Sequence, residues 1–240
     1  MNRLLTFGCS LTKDNYQKTW PDYLSSLLDL PLINLGARGA GLDYISKRIV
    51  ATDILDNDLV VIMLPSADRF DWYIDNSSPL QSHALSIASW QDGKQGNLLD
   101  LAGKISYESG FVLSGGEHRG HKKYWYKYFY SETKADMDYW HFVYLIQLHL
   151  MSKKCTYWIT SAYDKFRHIE QDYNKNTVQK NSVPDFINFD KFIYWESDKG
   201  FLSFVKNKNY QVKDHHPVTE AHCEFAKLMA SKKIDAKTNY

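Results

Sequence analysis

Leu59-Val60-Val61-Ile62-Met63-Leu64 is a run of six apolar residues, opened by Asp58 and closed by Pro65. An unbroken stretch of that length, half of it β-branched, predicts a strand buried on both faces, as in the middle of a parallel sheet. Upstream, Leu32-Ile33-Asn34 predicts a second, shorter strand, and Leu4-Leu5-Thr6-Phe7 another, stopped by Gly8. Between these two a helix opens near Trp20-Pro21, with proline in the first turn, where its missing N–H is tolerated. Tyr23, Leu24, Leu27 and Leu28 are predicted on its inner face. A glycine-rich turn, Gly36-Ala37-Arg38-Gly39-Ala40-Gly41, precedes a second helix with Tyr44, Ile45, Ile49 and Ile54 among its buried positions. Strand, helix, strand, helix, strand at this spacing makes two βαβ units and predicts a doubly wound α/β sheet.

Downstream, Cys155-Thr156-Tyr157-Trp158-Ile159-Thr160 predicts a fourth sheet strand. A long helix is expected from about Asp136 to Lys153, with Trp140, Tyr144, Leu148 and Met151 recurring at helical spacing. A final helix is expected from about Val218 to Lys232, with Ala221, Phe225, Leu228 and Met229 on its apolar face. Residues from about 65 to 135 lack a clean period and carry turn signals at Asp92-Gly93 and Gly115-Gly116. They read as a large aromatic-rich insertion after the third strand. Its densest part, Tyr124 to Tyr130, fits either a strand or part of a helical lid. Residues 164–185 are polar and read as loop. With no internal repeat and no proline- or serine-rich linker, the expectation is a single domain spanning 1–240.

Composition excludes several classes of function. The chain has 240 residues, 44% hydrophobic and 24% charged, which fits an ordinary globule and excludes a disordered or collagen-like chain. Twenty-nine basic against 28 acidic residues leave a net charge of +1, which argues against a nucleic-acid partner. No apolar run approaches the ~20 residues needed to span a bilayer. The first strand begins too early for a secretory leader to precede it, so a cytoplasmic location is expected. Cys9, Cys155 and Cys223 are too few for a disulfide framework and fit a reducing compartment. Aromatic residues make up 15%, including 17 Tyr and 7 Trp, which fits either a large aromatic core or a surface for flat ligands such as sugar rings.

In open α/β sheets ligands bind beyond the carboxyl ends of the strands. Three turns are expected there: Gly8-Cys9-Ser10, Gly36 to Gly41, and Pro65-Ser66-Ala67-Asp68. Far downstream stands Asp214-His215-His216-Pro217. A serine at a strand end, a glycine turn and an Asp/His pair are the parts of an acyl-transfer site. Serine needs an adjacent imidazole to accept its proton, a carboxylate fixes the imidazole tautomer, and backbone N–H groups cradle the oxyanion. Each part also has a plainer reading. Ser10 would serve as a helix cap, and Cys9 as a buried small hydrophobe rather than a nucleophile. The glycines would form an ordinary tight turn rather than a phosphate loop. His215, His216 and His222 match no common zinc spacing. Asp68 and Arg69 suit a surface ion pair as well as substrate contact.

Phe7-Gly8-Cys9-Ser10-Leu11-Thr12 resembles the first block of the SGNH (GDSL-like) hydrolase superfamily, in a Gly-Cys-Ser variant. Asn34-Leu35-Gly36-Ala37-Arg38-Gly39 resembles the second block, Asp58 through Asp68 stands where the third is expected, and Asp214-His215-His216-Pro217 resembles the fifth. The resemblance implies a three-layer α/β/α fold with a mostly parallel, flavodoxin-like sheet. It implies Ser10 as nucleophile, His216 as general base and Asp214 as its orienting acid. The oxyanion would be held by the N–H groups of Ser10 and Gly39. Three departures stand out. Cys9 replaces the family's aspartate. Lys213 occupies the position three before the histidine where the acid is usual. The third block reads Pro65-Ser66-Ala67-Asp68, so Ala67 replaces the asparagine that gives a third oxyanion donor, leaving the Ser66 hydroxyl as a substitute. The implied activity is a serine esterase for small acyl esters, O-acetyl on carbohydrate being the natural guess, with no metal or organic cofactor. Asp68, Arg69, Trp125 and Tyr126 are candidate substrate contacts, and Tyr128 is a further ring for stacking. An O-acyltransferase with the same serine chemistry and a non-catalytic binding module are the alternatives. Oligomeric state is left open.

Overall fold

A computed structural model describes residues 2–14, 16–74, 110–113, 122–164, 185–196, 198–213 and 216–237. In chain order the elements are β1 (Leu4–Phe7), α1 (Trp20–Leu28), β2 (Leu32–Asn34), α2 (Leu42–Val50) and β3 (Leu59–Leu64). There follow β4 (Asp71–Ile74), β5 (Gly110–Leu113), α3 (Lys122–Tyr128), α4 (Glu132–Ser152) and β6 (Thr156–Ser161). The chain closes with α5 (Phe201–Asn207), β7 (Val212–Lys213), β8 (His216–Pro217) and α6 (Thr219–Lys237).

All six side chains of β3 are buried, because the strand has a neighbour on each edge and helices over both faces. Burying each gives about 1.5–3 kcal/mol relative to exposure. The main sheet runs β2-β1-β3-β6 and is parallel throughout, with Leu5 paired to Ile33 and Val60, and Val61 to Trp158. The chain moves one way across the sheet from β1 to β2, then reverses for β3 and β6. Right-handed crossovers therefore put α1 on one face and α2 and α4 on the other. Accordingly α1 packs against α6, and α2 against α4. This is the three-layer α/β/α arrangement with a mostly parallel sheet that the sequence predicts. Beyond β6, the Ile193 N–H donates to the Ile159 carbonyl at 2.7 Å, adding one parallel rung at that edge.

Several element-level expectations need correction. On α1 the buried residues are Trp20, Pro21 and Leu24, while Leu27 is exposed. Ile54 is buried, as expected, but it lies beyond the end of α2. The long helix α4 starts at Glu132, four residues early, and buries a stripe of Asp136, Trp140, Val143, Gln147 and Leu150. Leu148 and Met151 face outward. Two polar residues in the buried stripe hid it from hydrophobic periodicity. Gln147 belongs there because its amide pairs with the backbone of Asn188, donating to the carbonyl at 2.8 Å and accepting from the N–H at 3.0 Å.

Tyr124 to Tyr128 lie on a helix, α3. Helix α5 was not foreseen. It is only seven residues long, and its start is set by distant groups: the Gly200 N–H donates to the Asp164 carboxylate and the Leu202 N–H to the Ala162 carbonyl, each at 2.9 Å. Within the insertion, β4 and β5 form an antiparallel pair. The turn signals at Asp92-Gly93 and Gly115-Gly116, and nearly all of the polar 164–185 stretch, lie outside the described residues. Among the described residues no helix is long and apolar enough to cross a membrane.

Candidate functional site

The sheet order makes β1 and β3 the strands between which the connections diverge, and the crevice at their carboxyl ends is where such sheets bind ligands. At the end of β1 the chain must turn past the backbone of β3. Gly8 does so at φ +155°, and a Cβ there would lie 2.1 Å from Thr12 Oγ1 and 2.9 Å from the Met63 carbonyl oxygen. Only glycine fits. The Cys9 carbonyl then accepts from the N–H groups of Thr12 (2.9 Å) and Lys13 (3.1 Å), winding one helical turn that starts with Ser10 half-buried in the crevice wall.

The turn after β2 is stitched to this one. The Ala37 N–H donates to the Gly8 carbonyl at 2.9 Å. Asn34 bridges the two turns. Its Nδ2 donates to the Thr12 carbonyl at 2.8 Å and its Oδ1 accepts from the Gly36 N–H at 3.1 Å. Gly39 lies in the same turn with a left-handed φ of 78°.

The turn after β3 faces both. The Ser66 hydroxyl donates to the Asp68 carboxylate, and Ala67 follows it with a bare methyl. Arg69 Nη1 donates to the Ala40 carbonyl at 3.2 Å, and the guanidinium lies beside the sulfur of Cys9. Cys9 itself is fully buried. Next in the chain, Asp71 caps α2 from outside the helix, accepting from the N–H groups of Gly41 (3.0 Å) and Tyr44 (2.9 Å). A Cβ on Gly41 would meet Asp71 Oδ2 at 2.7 Å, so the cap needs glycine there. Burial pushes the Asp71 carboxyl up to about 7, against the pull of its two N–H donors.

The C-terminal segment reaches the same region through Gln17. Its Nε2 donates to the Pro217 carbonyl at 2.9 Å and to Asp14 at 3.4 Å, while its Oε1 accepts from Thr219 Oγ1 at 3.1 Å. Beside this tie, His222 is fully buried and accepts on Nδ1 from the Trp20 N–H at 3.3 Å. It thereby supplies a cap for α1 that lies 202 positions away in the chain. Desolvation, helped by the nearby His216, pushes the His222 imidazole down to about 4, with Asp14 pulling the other way. His216 is half-buried on β8, paired with Lys213 of β7. Asp214 and His215, between those strands, lie outside the described residues. Among the described residues no three His, Cys, Asp or Glu side chains gather as a metal site.

A cavity of about 230 Å³ opens beside Arg69. Its walls include Ser66, Asp68, Arg69, Trp125, Phe129 and Tyr139, but not Ser10, Gly39 or His216. Helix α3 is seated here by an aromatic cluster: Phe70 lies 4.4 Å from Trp72, 4.7 Å from Trp125 and 5.2 Å from Tyr126, centroid to centroid. The Tyr126 hydroxyl donates to the Asp68 carbonyl at 2.8 Å. Trp125 Nε1 is buried with no hydrogen-bond partner among the described residues. Tyr128 is exposed on the far side. The structure thus gathers Ser10, Gly39, Ser66, Asp68 and Arg69 at one end of the sheet, with Trp125 in the cavity wall and Tyr126 bonded to the Asp68 backbone. Asn34, Gln17 and Asp14 are the residues that sequence reading passed over. Their only signal was proximity to the motifs, since each acts through contacts distant in sequence or in a loop.

No protein-family model and no curated protein matches the chain. Among solved structures, one from Desulfitobacterium hafniense, of a protein assigned to the lipolytic G-D-S-L family, is similar over 96% of this chain and 99% of its own. The identity is 10% and the TM-score 0.40, a likeness that says nothing about chemistry.

Proposed function

We propose that this chain is a serine ester hydrolase of the SGNH (GDSL-like) type, acting on small acyl esters through an acyl-enzyme on Ser10. The observation that carries the reading is the tie between chain ends. Gln17, seven residues after Ser10, holds Pro217 and Thr219, and His222 caps α1. Gln17 thus ties the segment that carries His216 to the loop that follows Ser10, and this tie supports the reading.

In this mechanism Ser10 Oγ attacks the ester carbonyl while His216 takes its proton, a transfer worth typically 10²–10⁴-fold. Asp214 orients the imidazole. The N–H groups of Ser10 and Gly39 receive the negative charge as the carbonyl oxygen becomes tetrahedral. Collapse expels the alcohol, which leaves with the proton from His216, and water repeats the sequence to free the acid. Ala67 offers no third donor, and Ser66 already gives its proton to Asp68. Loss of one such donor costs about 3–4 kcal/mol of transition-state stabilisation, so turnover is slow for the class. The aromatic-walled cavity beside Arg69 suits the alcohol half of the ester, and a sugar ring fits its mix of ring faces and carboxylates.

A fluorophosphonate probe tests the reading. The wild type is expected to label at Ser10 and to release acetate from O-acetylated sugars, and Ser10→Ala to do neither. A folded wild type that stays unlabelled would transfer the case to a non-catalytic binding module. Turnover that rises with added sugar acceptor would identify a transferase instead.

A further inference from the structure

We propose that Arg69 is the positioning residue of the oxyanion site, one guanidinium holding both backbone donors in place across the crevice. The proposal rests on the esterase reading above. Arg69 Nη1 donates to the carbonyl of Ala40, the residue directly after Gly39. The same group is close enough to the thiol of Cys9, the residue directly before Ser10, to interact with it electrostatically. Its own backbone is anchored in the third turn, where the Arg69 N–H donates to the Ser66 carbonyl at 3.3 Å. One side chain thus spans the turns after β1, β2 and β3.

The chemistry of the three turns makes arginine the fitting residue. Two backbone N–H groups on separate loops stabilise an oxyanion only if their spacing is kept, and a shift of about 1 Å costs on the order of 10²-fold in rate. Ala37 N–H to Gly8 O ties the first two turns at their bases, and Arg69 ties them nearer Ser10 and Gly39. A planar guanidinium presents five donors in a rigid fork and can serve a carbonyl and a sulfur at once, whereas an ammonium is a point charge. Asp68 and Asp71 face it and balance its charge without taking over the contact to Ala40. Cys9 in place of the family's aspartate belongs to the same arrangement. A buried carboxylate there would form an ion pair with Arg69 and draw it away from Ala40, while a thiol leaves the fork free to reach both turns.

The test compares wild type, Arg69→Gln and Arg69→Lys by fluorophosphonate acylation kinetics and by amide hydrogen exchange over segments 8–13 and 36–41. Both variants are expected to acylate about 10–100-fold more slowly, with the half-saturating probe concentration changed less than about threefold. Both should exchange faster in the two segments, with β3 unchanged. If Arg69→Gln fails to fold, Arg69→Lys carries the comparison. Acylation at the wild-type rate in either variant, or unchanged exchange in both segments, overturns the proposal and leaves the esterase reading standing. A folded wild type that does not label overturns the esterase reading and this proposal with it.

Discussion

His222 and Asp71 are each shifted by burial, in opposite directions. An unfolded histidine titrates near ~6.5 and an unfolded aspartate near ~3.9. In the folded chain His222 is pushed down to about 4 and Asp71 up to about 7. Between these limits unfolding takes up a proton at His222 and releases one at Asp71. The His222 contribution to stability is therefore complete above about pH 6.5 and is lost as pH falls toward 4. The Asp71 contribution is complete below about pH 4 and is lost as pH rises toward 7. His222→Asn, which keeps an acceptor for the Trp20 N–H, should give a protein whose stability falls with rising pH across this window. Asp71→Asn should give the reverse. Urea midpoints at half-unit pH steps measure both slopes, and two variants that simply parallel the wild type would contradict the assignment. At this scale sequence reading reached the motif residues but not their states. Nothing in the sequence near His222 names Trp20 as its donor.

Among the elements, the start of the sheet is clamped by an ion pair. Arg3 Nε and Nη2 donate to Asp58 at 3.0 and 2.6 Å, and Asp58 also accepts from the Leu55 N–H at 2.9 Å. Asp58 is fully buried and Arg3 is 28% exposed. The Arg3 pairing holds the Asp58 carboxyl below the usual carboxylate range despite the cost of burial. Removing one partner of such a pair costs more when the survivor cannot reach water. Arg3→Met should thus destabilise by about 3 kcal/mol, and Asp58→Asn by about 1–2 kcal/mol, since Arg3 keeps solvent and the Asp53 carbonyl. Denaturant unfolding of the two variants checks the order, and the opposite ranking would contradict it. The strands were legible because their apolar runs are continuous: β1, β2 and β3 are found where the sequence predicts them, and β6 one residue later. The inner face of α4 was not legible, because Asp136 and Gln147 stand on it and Gln147 is satisfied by Asn188, 41 positions away.

For the whole molecule, the closure of the chain on itself matters most. The Gln17 amide is engaged at both ends, by Asp14 and Pro217 at nitrogen and by Thr219 at oxygen. Gln17→Leu should cost about 1–2 kcal/mol of stability and lower Ser10 acylation at least tenfold by releasing the His216 segment. Thermal melts and probe kinetics on one preparation measure both, and unimpaired acylation would show that the segment is held by other means. The α/β class, the alternation of strand and helix in the first two βαβ units and the turns at the strand ends were determined by the sequence alone. Apolar run length, glycine position and crossover handedness are local or nearly local rules. Tertiary structure decided what those turns do to one another: that Asn34 and Arg69 stitch three loops, that Asp71 caps a helix earlier in the chain, and that Gln17 and His222 join the two ends. Each of these is a polar group satisfied by a partner far away in sequence, and hydrogen-bond partners at that distance leave no period in the chain from which to be read.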